Sequence, residues 1–561
     1  MDKNKELANL MFPDITETVE DLEKKYPKRD LKEGARVIRF APSPTGFLHT
    51  GALYTSLAGM RLAKESDGIY FLRIEDTDRK REVKGVIKDF IKELNEFGIV
   101  PDEGVISEDE EKGNYGPYMQ SKRERIYKIC AKHLVEQGLA YPCFCTPEMI
   151  AATKEAQEKG KVVPGYYGVY AKCRNISVDE SIQRVKSGER FVTRFRSSGS
   201  HLKKISFIDE IRGKIEMAQN DLDIVIIKAD GLPTYHFAHV VDDHFMRTTL
   251  VTRGEEWLPS APVHIELFKA MGFEVPKYAH FSNVMKKDGD SKRKLSKRKD
   301  PEAAVSFFLK EGYPVDSVIE YILTLINSDF EPWRIKNPNA DKFEFEVKLK
   351  KMGTSGALFD IVKLNDVSKE IIAKMNSQEV LDNVLEWSKK YNSKVYDLIS
   401  KDKEYSRKIF ALERDGAKKI RKDIIKWEDV TNIFFYFFEE LFEKDIKENE
   451  YEFDFLKGNS KVDSNMTKKV LELYINSYDE KLEKDEWFNN VKEQANKLGF
   501  CTDMKEYKQN PDKYIGSTAD YTTIIRIALT NRHNSPDIYQ IMQLLGKDET
   551  IRRLEKAKEN I

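Results

Sequence analysis

Residues 39–57, RFAPSPTGFLHTGALYTSL, place two prolines, two glycines and a lone histidine between a short apolar run and a run with helical spacing. Proline fixes φ and glycine frees it, so the backbone stiffens and then loosens within a few residues. ARVIRFAP reads as a buried strand. After the turn, Leu53, Leu57, Met60 and Ala63 keep helical spacing, and Asp67-Gly68 gives a C-terminal stop. A strand, an irregular turn and a helix N-terminus open to the backbone make a junction that can bind phosphate. IYFLRIEDTD is a second strand ending in acids, and a helix from Val83 to Phe97 follows, stopping at Gly98. Strand, helix, strand, helix at this spacing begins an open α/β sheet. Ligands of such sheets sit at the carboxyl ends of the strands. Here those ends carry the Pro-Gly turn and Glu75-Asp76-Thr77-Asp78.

The chain has 561 residues, too many for one core, and roughly three to five domains are expected. Lys and Arg total 94 against 95 Asp and Glu, so only local basic patches can argue for a polyanionic partner. Residues 1–34 are charged and weakly amphipathic, a helical extension without the apolar core of a signal peptide. No run approaches the roughly 20 apolar residues of a membrane span. Five cysteines do not make a disulfide scaffold. The expectation is a soluble, cytoplasmic chain.

From 121 to 217 the pattern changes to mixed helices and short strands, with CFC and PGYYGVYAKC, and reads as an insertion. The α/β character returns with DIVIIKADGLPTYHFAHVVDDHF, TTLVTRGEEWL and a helix near APVHIELFKAMG. YAHFSNVMKKDGDSKRKLSKRKD reads as an apolar strand and then a mobile basic loop. Beyond residue 300 nearly everything reads as helix, including NIFFYFFEELFEKDIKE and MTKKVLELYINSYDEKL.

In HTG, 49–51, a histidine at a helix N-terminus can donate to a phosphate, and Gly51 lets the ligand approach without a β-carbon in the way. In KLSKR, 294–298, two lysines flanking a serine can fold over a triphosphate and neutralise charge that develops as it is displaced. Neither is specific alone. The pair is, in this order and separated by a split α/β sheet. HTGA resembles the HIGH signature of class I aminoacyl-tRNA synthetases, and KLSKR resembles their KMSKS loop. RFAPSPTGFLH with FLRIEDTD resembles the glutamyl-tRNA synthetases specifically, as do DGLPTYHFAHVVDD, RGEEWL and GALFDIVKLNDVS.

The resemblance implies an α/β class I architecture. Its Rossmann-type catalytic domain would take 35–120 and 218–273, with an α+β insertion at 121–217 that binds the tRNA acceptor end. A stem-contact domain with the KMSKS-like loop would take 274–370, and an all-α anticodon-binding region 371–561. It also implies the reaction. Glutamate attacks the α-phosphorus of ATP, with Mg2+, and the adenylate passes glutamate to the tRNA 3′ end.

By the same resemblance His49, Gly51, Lys294 and Lys297 are catalytic, the lysines stabilising the pyrophosphate leaving group. His49 and Gly51 hold the ATP phosphates, and Glu256, Leu295 and Lys297 complete the ATP site. The fourth HIGH position is Ala52, small as is common in glutamyl-type enzymes. Glutamate carries two carboxylates and one ammonium, so its pocket needs arginines and an acid. Arg39 and Arg253 match the arginines for the side-chain carboxylate, and Glu75, assisted by Ser43, matches the acceptor of the ammonium. Ala41 and Tyr235 match further glutamate-binding positions, and His239 stands where many relatives have asparagine.

Cys143, Cys145 and Cys173 match a zinc cluster of some relatives, with Tyr170 as fourth ligand or Tyr167 in its place, residue 175 being Asn rather than His. The alternative is three reduced structural cysteines. Cys130 and Cys501 read as buried thiols.

The partners implied are L-glutamate, ATP and tRNA-Glu, with tRNA-Gln left open, on a monomer and away from membranes. A glutaminyl enzyme would carry a Pro-Glu-Pro-Asn type motif in place of APSPTG and an uncharged residue at 253, since an arginine facing an amide lacks its counter-charge. A glutamyl-queuosine enzyme would lack the long region past KLSKR. Intact His49, Gly51, Lys294 and Lys297 argue against a catalytically inactive tRNA-binding scaffold.

Overall fold

The strand expected at ARVIRFAP forms as Val37–Phe40 and pairs in parallel with Ile69–Leu72, which pairs in parallel with Glu103–Val105. The computed structural model describes residues 2–78, 81, 83–296, 298–451, 453 and 461–561. On its other side Val37–Phe40 abuts Leu250–Gly254. There the Thr249 amide donates to the Val37 carbonyl at 3.0 Å, and the Val37 amide to the Thr249 hydroxyl at 2.8 Å. Leu250–Gly254 continues in parallel to Lys277–Phe281. The sheet therefore grows outward in both directions from the seam between Val37–Phe40 and Leu250–Gly254. Such a reversal leaves a crevice at the strand carboxyl ends.

Helix Thr50–Lys64 packs on this seam. Its apolar stripe, Leu53, Leu57, Met60 and Ala63, is buried as its spacing requires. Gly59 allows the close approach: a β-carbon there would stand 3.3 Å from Ile38 Cγ2 and 3.4 Å from Thr252 Oγ1. Asp67, at φ 51°, turns the chain out of the helix. In the extension, Leu7, Ala8, Met11 and Leu22 on helices Lys3–Met11 and Val19–Lys25 are buried in one cluster with Ile126, Tyr127 and Ile129.

Four stretches differ from their sequence reading. Val225–Ile227, read as the return of the parallel sheet, pairs antiparallel with Val192–Phe195, which pairs with Ala140–Cys143. Conversely Lys204–Asp209, read within the insertion, pairs in parallel with the Lys277–Phe281 strand through Asp209 and Tyr278. An apolar run of three or four residues suits either sheet, and only the partner decides. The basic loop is a hairpin, Val284–Asp288 against Ser291–Lys294, turned by Gly289 at φ 60°. The helix read at NIFFYFFEELFEKDIKE breaks into Val430–Ile433, a 3₁₀ turn Phe435–Phe437 and Glu439–Asn449. All five residues Phe434–Phe438 are buried, which no single helix face can arrange for consecutive rings.

By its contacts the chain divides into two units, Met1–Phe308 with Ile319–Ile361, and Leu309–Val318 with Val362–Ile561. The second is helical throughout its core. Within it Arg553, buried, donates to the Tyr436 and Leu529 carbonyls at 2.6 and 2.9 Å and pairs with Glu549. Among the described residues no helix is long and apolar enough to cross a membrane.

Candidate active site

A cavity of about 540 Å3 opens at the carboxyl ends of the seam strands. It gathers Arg39, Ala41, Ser43, His49, Gly51, Glu75, Tyr235, Arg253, Glu256, Lys294 and Leu295, which are separated by up to 256 positions in the sequence. Lys297, the remaining residue expected here, lies outside the described residues.

His49 caps the helix Thr50–Lys64, its Nδ1 accepting from the Gly51 amide at 2.9 Å. An imidazole that accepts on Nδ1 carries its proton on Nε2, so the cap fixes His49 as an N–H donor at the helix N-terminus. Gly51 serves this geometry as well as ligand approach. A β-carbon there would press on Nδ1 from 3.3 Å.

Below the cavity floor lies an ion cluster that the motifs did not reveal. Arg39 donates from Nε to both Asp243 oxygens at 3.2 Å and from Nη1 to the Thr252 carbonyl at 2.9 Å. Arg73, fully buried, reaches Asp243 at 2.6 Å and Glu75 at 3.1 Å. Arg123 pairs with Asp242 at 2.6 Å, and Gln120 and Tyr127 donate to the same carboxylate. Burial alone would raise Asp243, but Arg39 and Arg73 hold it well below the usual carboxylate range. His239 Nδ1 lies 2.8 Å from Asp243, and burial pushes this imidazole down to about 3, so it is neutral. Burial raises Glu75 despite the opposing pull of Arg73 and Arg39, and pushes the Tyr235 phenol up to about 12. The signal available in the sequence was charge inside apolar runs: Arg73 in FLRIED and the paired acids of HVVDDHF.

Arg253 is held differently. It is buried, and its Nε donates to His280 Nε2 at 3.0 Å, while Nη1 lies 3.1 Å from His264 Nδ1. Its Nη2 is buried with no hydrogen-bond partner, and Arg253 forms no ion pair among the described residues. Burial lowers His280 and His264 below the ordinary histidine value, so both supports are neutral near pH 7.

On the hairpin, Arg293 and Lys286 are neutralised by Asp300, and Lys286 also by Glu302. Lys294, half exposed at the end of its strand, pairs among the described residues with Glu256 at 3.4 Å across the cavity mouth.

The sulfurs of Cys143, Cys145 and Cys173 all lie within 4.8 Å of one another, Cys145 and Cys173 at 3.6 Å. The phenol beside them is that of Tyr166, 3.3 Å from the sulfurs of Cys143 and Cys145, and not Tyr170. Tyr170 packs against Tyr167, whose hydroxyl is spent on the Val163 carbonyl at 2.6 Å. Hydrogen bonding from Cys173 outweighs burial and lowers the Cys143 thiol below its ordinary value. Sulfur and oxygen donors on a tetrahedral zinc stand about 3.5–3.8 Å apart, close to these spacings. Cys130 and Cys501 are buried thiols away from this cluster.

Residues 36–354 match the family model described as "tRNA synthetases class I (E and Q), catalytic domain", and 517–558 match "Anticodon binding domain". The chain is 50% identical over 550 residues, 98% of each chain, to a glutamate–tRNA ligase of Clostridium perfringens (strain SM101 / Type A). It is 43% identical over 553 residues, 98% of this chain and 99% of the other, to one of Acetivibrio thermocellus. Among solved structures, a glutamate tRNA ligase from Elizabethkingia meningosepticum in complex with its amino acid superposes with a TM-score of 0.73. It is 27% identical, over 93% of this chain and 99% of that one.

Proposed function

This chain belongs to the glutamate–tRNA ligases of the class I synthetases, and from that premise we propose how its residues divide the reaction. One observation carries the reading: Arg253 is a buried guanidinium with no ion pair among the described residues and a free Nη2. Around it Arg39, Arg73 and Arg123 share Glu75, Asp242 and Asp243, and Asp209, the carboxylate on the Arg253 side, is kept one imidazole away by His280, so Arg253 alone lacks a direct counter-charge. A bound glutamate, with two carboxylates and one ammonium, brings the missing negative charge. Its side-chain carboxylate pairs with Arg253, with Arg39 beside it, and its ammonium with Glu75, assisted by Ser43. Ala41 and Tyr235 complete the glutamate pocket. A glutamine amide in the same place would leave Arg253 buried and uncompensated.

ATP, with Mg2+ as its counter-ion, lies over the Thr50–Lys64 N-terminus, where His49 Nε2–H donates to its phosphates and Gly51 admits them; Glu256 and Leu295 flank the nucleotide. A glutamate α-carboxylate oxygen attacks the α-phosphorus, the bond to pyrophosphate breaks, and Lys294 and Lys297 meet the charge that develops on the leaving oxygens. A ribose hydroxyl of the tRNA 3′ end then attacks the adenylate carbonyl and AMP departs. The insertion, 121–217, receives that end, and the helical region, 371–561, the anticodon.

Cys143, Cys145 and Cys173 with Tyr166 would hold zinc, whose charge offsets the thiolates next to a surface meant for RNA. Purified protein should then contain about one zinc equivalent per chain by elemental analysis. A metal-free, fully active protein would leave the cysteines a packing role.

Glutamate-dependent ATP–pyrophosphate exchange, with and without tRNA, tests the reaction itself. No exchange in either case would defeat the assignment. Charging of purified tRNA-Glu and tRNA-Gln decides whether one or both are substrates.

A further inference from the structure

Two donors of Arg253 end on imidazole nitrogens where a buried arginine would ordinarily meet a carboxylate. Each imidazole has its second nitrogen already engaged. His280 Nδ1 donates to Asp209 at 2.7 Å, and His264 Nε2 lies 2.9 Å from His236 Nδ1. Since Arg is only a donor, the faces turned to it must be lone pairs, and an imidazole that offers one is neutral. The protons therefore sit on His280 Nδ1 and His264 Nε2. Asp209 and His236 lock these tautomers from behind. The guanidinium is oriented through two nitrogens without being discharged, and the third, Nη2, has no hydrogen-bond partner among the described residues. Arg39, pinned by both oxygens of Asp243, shows the alternative within the same cavity.

We infer that His264 and His280 are positioning residues that set selectivity for a carboxylate over an amide side chain, because they hold Arg253 on uncharged acceptors. This rests on the reading of Arg253 as the side-chain receptor. Introducing a carboxylate in their place would satisfy the guanidinium internally and remove its demand for an anion.

His264→Asn and His264→Asp are nearly the same size and differ in charge, so they separate position from neutrality. In ATP–pyrophosphate exchange with tRNA, His264→Asn should keep the glutamate KM within a few-fold and keep glutamate-over-glutamine selectivity. His264→Asp should raise the glutamate KM about 30-fold and lower that selectivity by a similar factor, with kcat changed less. Equal behaviour of the two variants overturns the inference. Should His264→Asp not fold, His280→Gln, which keeps an acceptor for Arg253 Nε, is set against His280→Leu, which does not. Only the second should raise the glutamate KM, and equal rises overturn the inference. Arg253→Gln distinguishes the two levels. An unchanged glutamate KM there defeats the reading of Arg253 itself, whereas a raised KM with inert histidine variants defeats only the role of the histidines.

Discussion

Arg39 and Arg253 leave neighbouring strands of one seam and reach the same cavity, yet their surroundings are built on opposite lines. The Arg39 side is paired in charge, although Arg73 Nε and Arg123 Nη2 are also buried without a hydrogen bond: Asp243 takes Arg39 and Arg73 together, Glu75 takes Arg73, and His239 stands behind. On the Arg253 side the direct partners are neutral imidazoles, with Asp209 held behind His280, and one buried donor group has no partner. Buried charge is costly unless compensated, so a compensated cluster can serve as frame, whereas an uncompensated one awaits a counter-charge from outside. Substitutions on the two sides should therefore fail in different ways, one in folding and the other in binding.

The largest effect is expected on the paired side. Asp243→Ala strands the buried Arg39 guanidinium and leaves Arg73 with Glu75 and a 4.0 Å contact to Asp242, and should cost about 3–5 kcal/mol of unfolding free energy, read from urea denaturation. A loss below about 1 kcal/mol would mean that the arginines find other partners, and the contrast between the two sides would collapse.

Next comes the hairpin flank, whose basic side chains Lys286 and Arg293 are already neutralised while Lys294 faces the cavity mouth. Lys297, beyond the described residues, is expected to act mainly in the transition state, on the leaving group. Lys297→Ala should lower kcat for adenylate formation about 100-fold with little change in ATP affinity, and transfer from pre-formed adenylate should stay near normal. Equal losses in both half-reactions would make the loop structural.

A smaller effect concerns Glu75, which shares Arg73 with Asp243 but must also receive the ammonium. Burial raises its pKa above the 4.5 of an ordinary glutamic acid. As pH falls through that raised value the carboxylate takes up a proton and loses its hold on the ammonium. The kcat/KM for glutamate should therefore have an acid limb above pH 4.5 that Glu75→Gln, already low in activity, no longer shows. An unchanged acid limb in Glu75→Gln would move the titration elsewhere.

The cavity residues were legible because the glycine–proline turn, HTG and KLSKR stand at strand and helix ends, where local sequence and site coincide. The frame was not. Arg39 meets Asp243 across 204 positions, and a charge inside an apolar strand or helix does not reveal its partner. His264 and His280 likewise read as single polar residues within PVHIELF and YAHF; the parallel register sets His280 opposite Arg253, and the helix Ala261–Ala270 brings His264 to it. Spacing alone cannot show which side of the turn at Gly168 a ring takes, so it does not separate Tyr166 from Tyr170, and the 3₁₀ turn Gly168–Tyr170 carries Tyr170 away from the sulfurs.

The claim at the centre of this account is that the side-chain carboxylate of glutamate completes Arg253. Arg253→Ala should raise the glutamate KM by about 30- to 150-fold, the worth of a charge-assisted hydrogen bond of roughly 2–3 kcal/mol, and leave the ATP KM nearly unchanged. Its folding is checked by urea denaturation, because two buried imidazole acceptors lose their donor while an unpaired charge is removed. A glutamate KM equal to the parent's, measured by ATP–pyrophosphate exchange on that folded variant, would contradict the account.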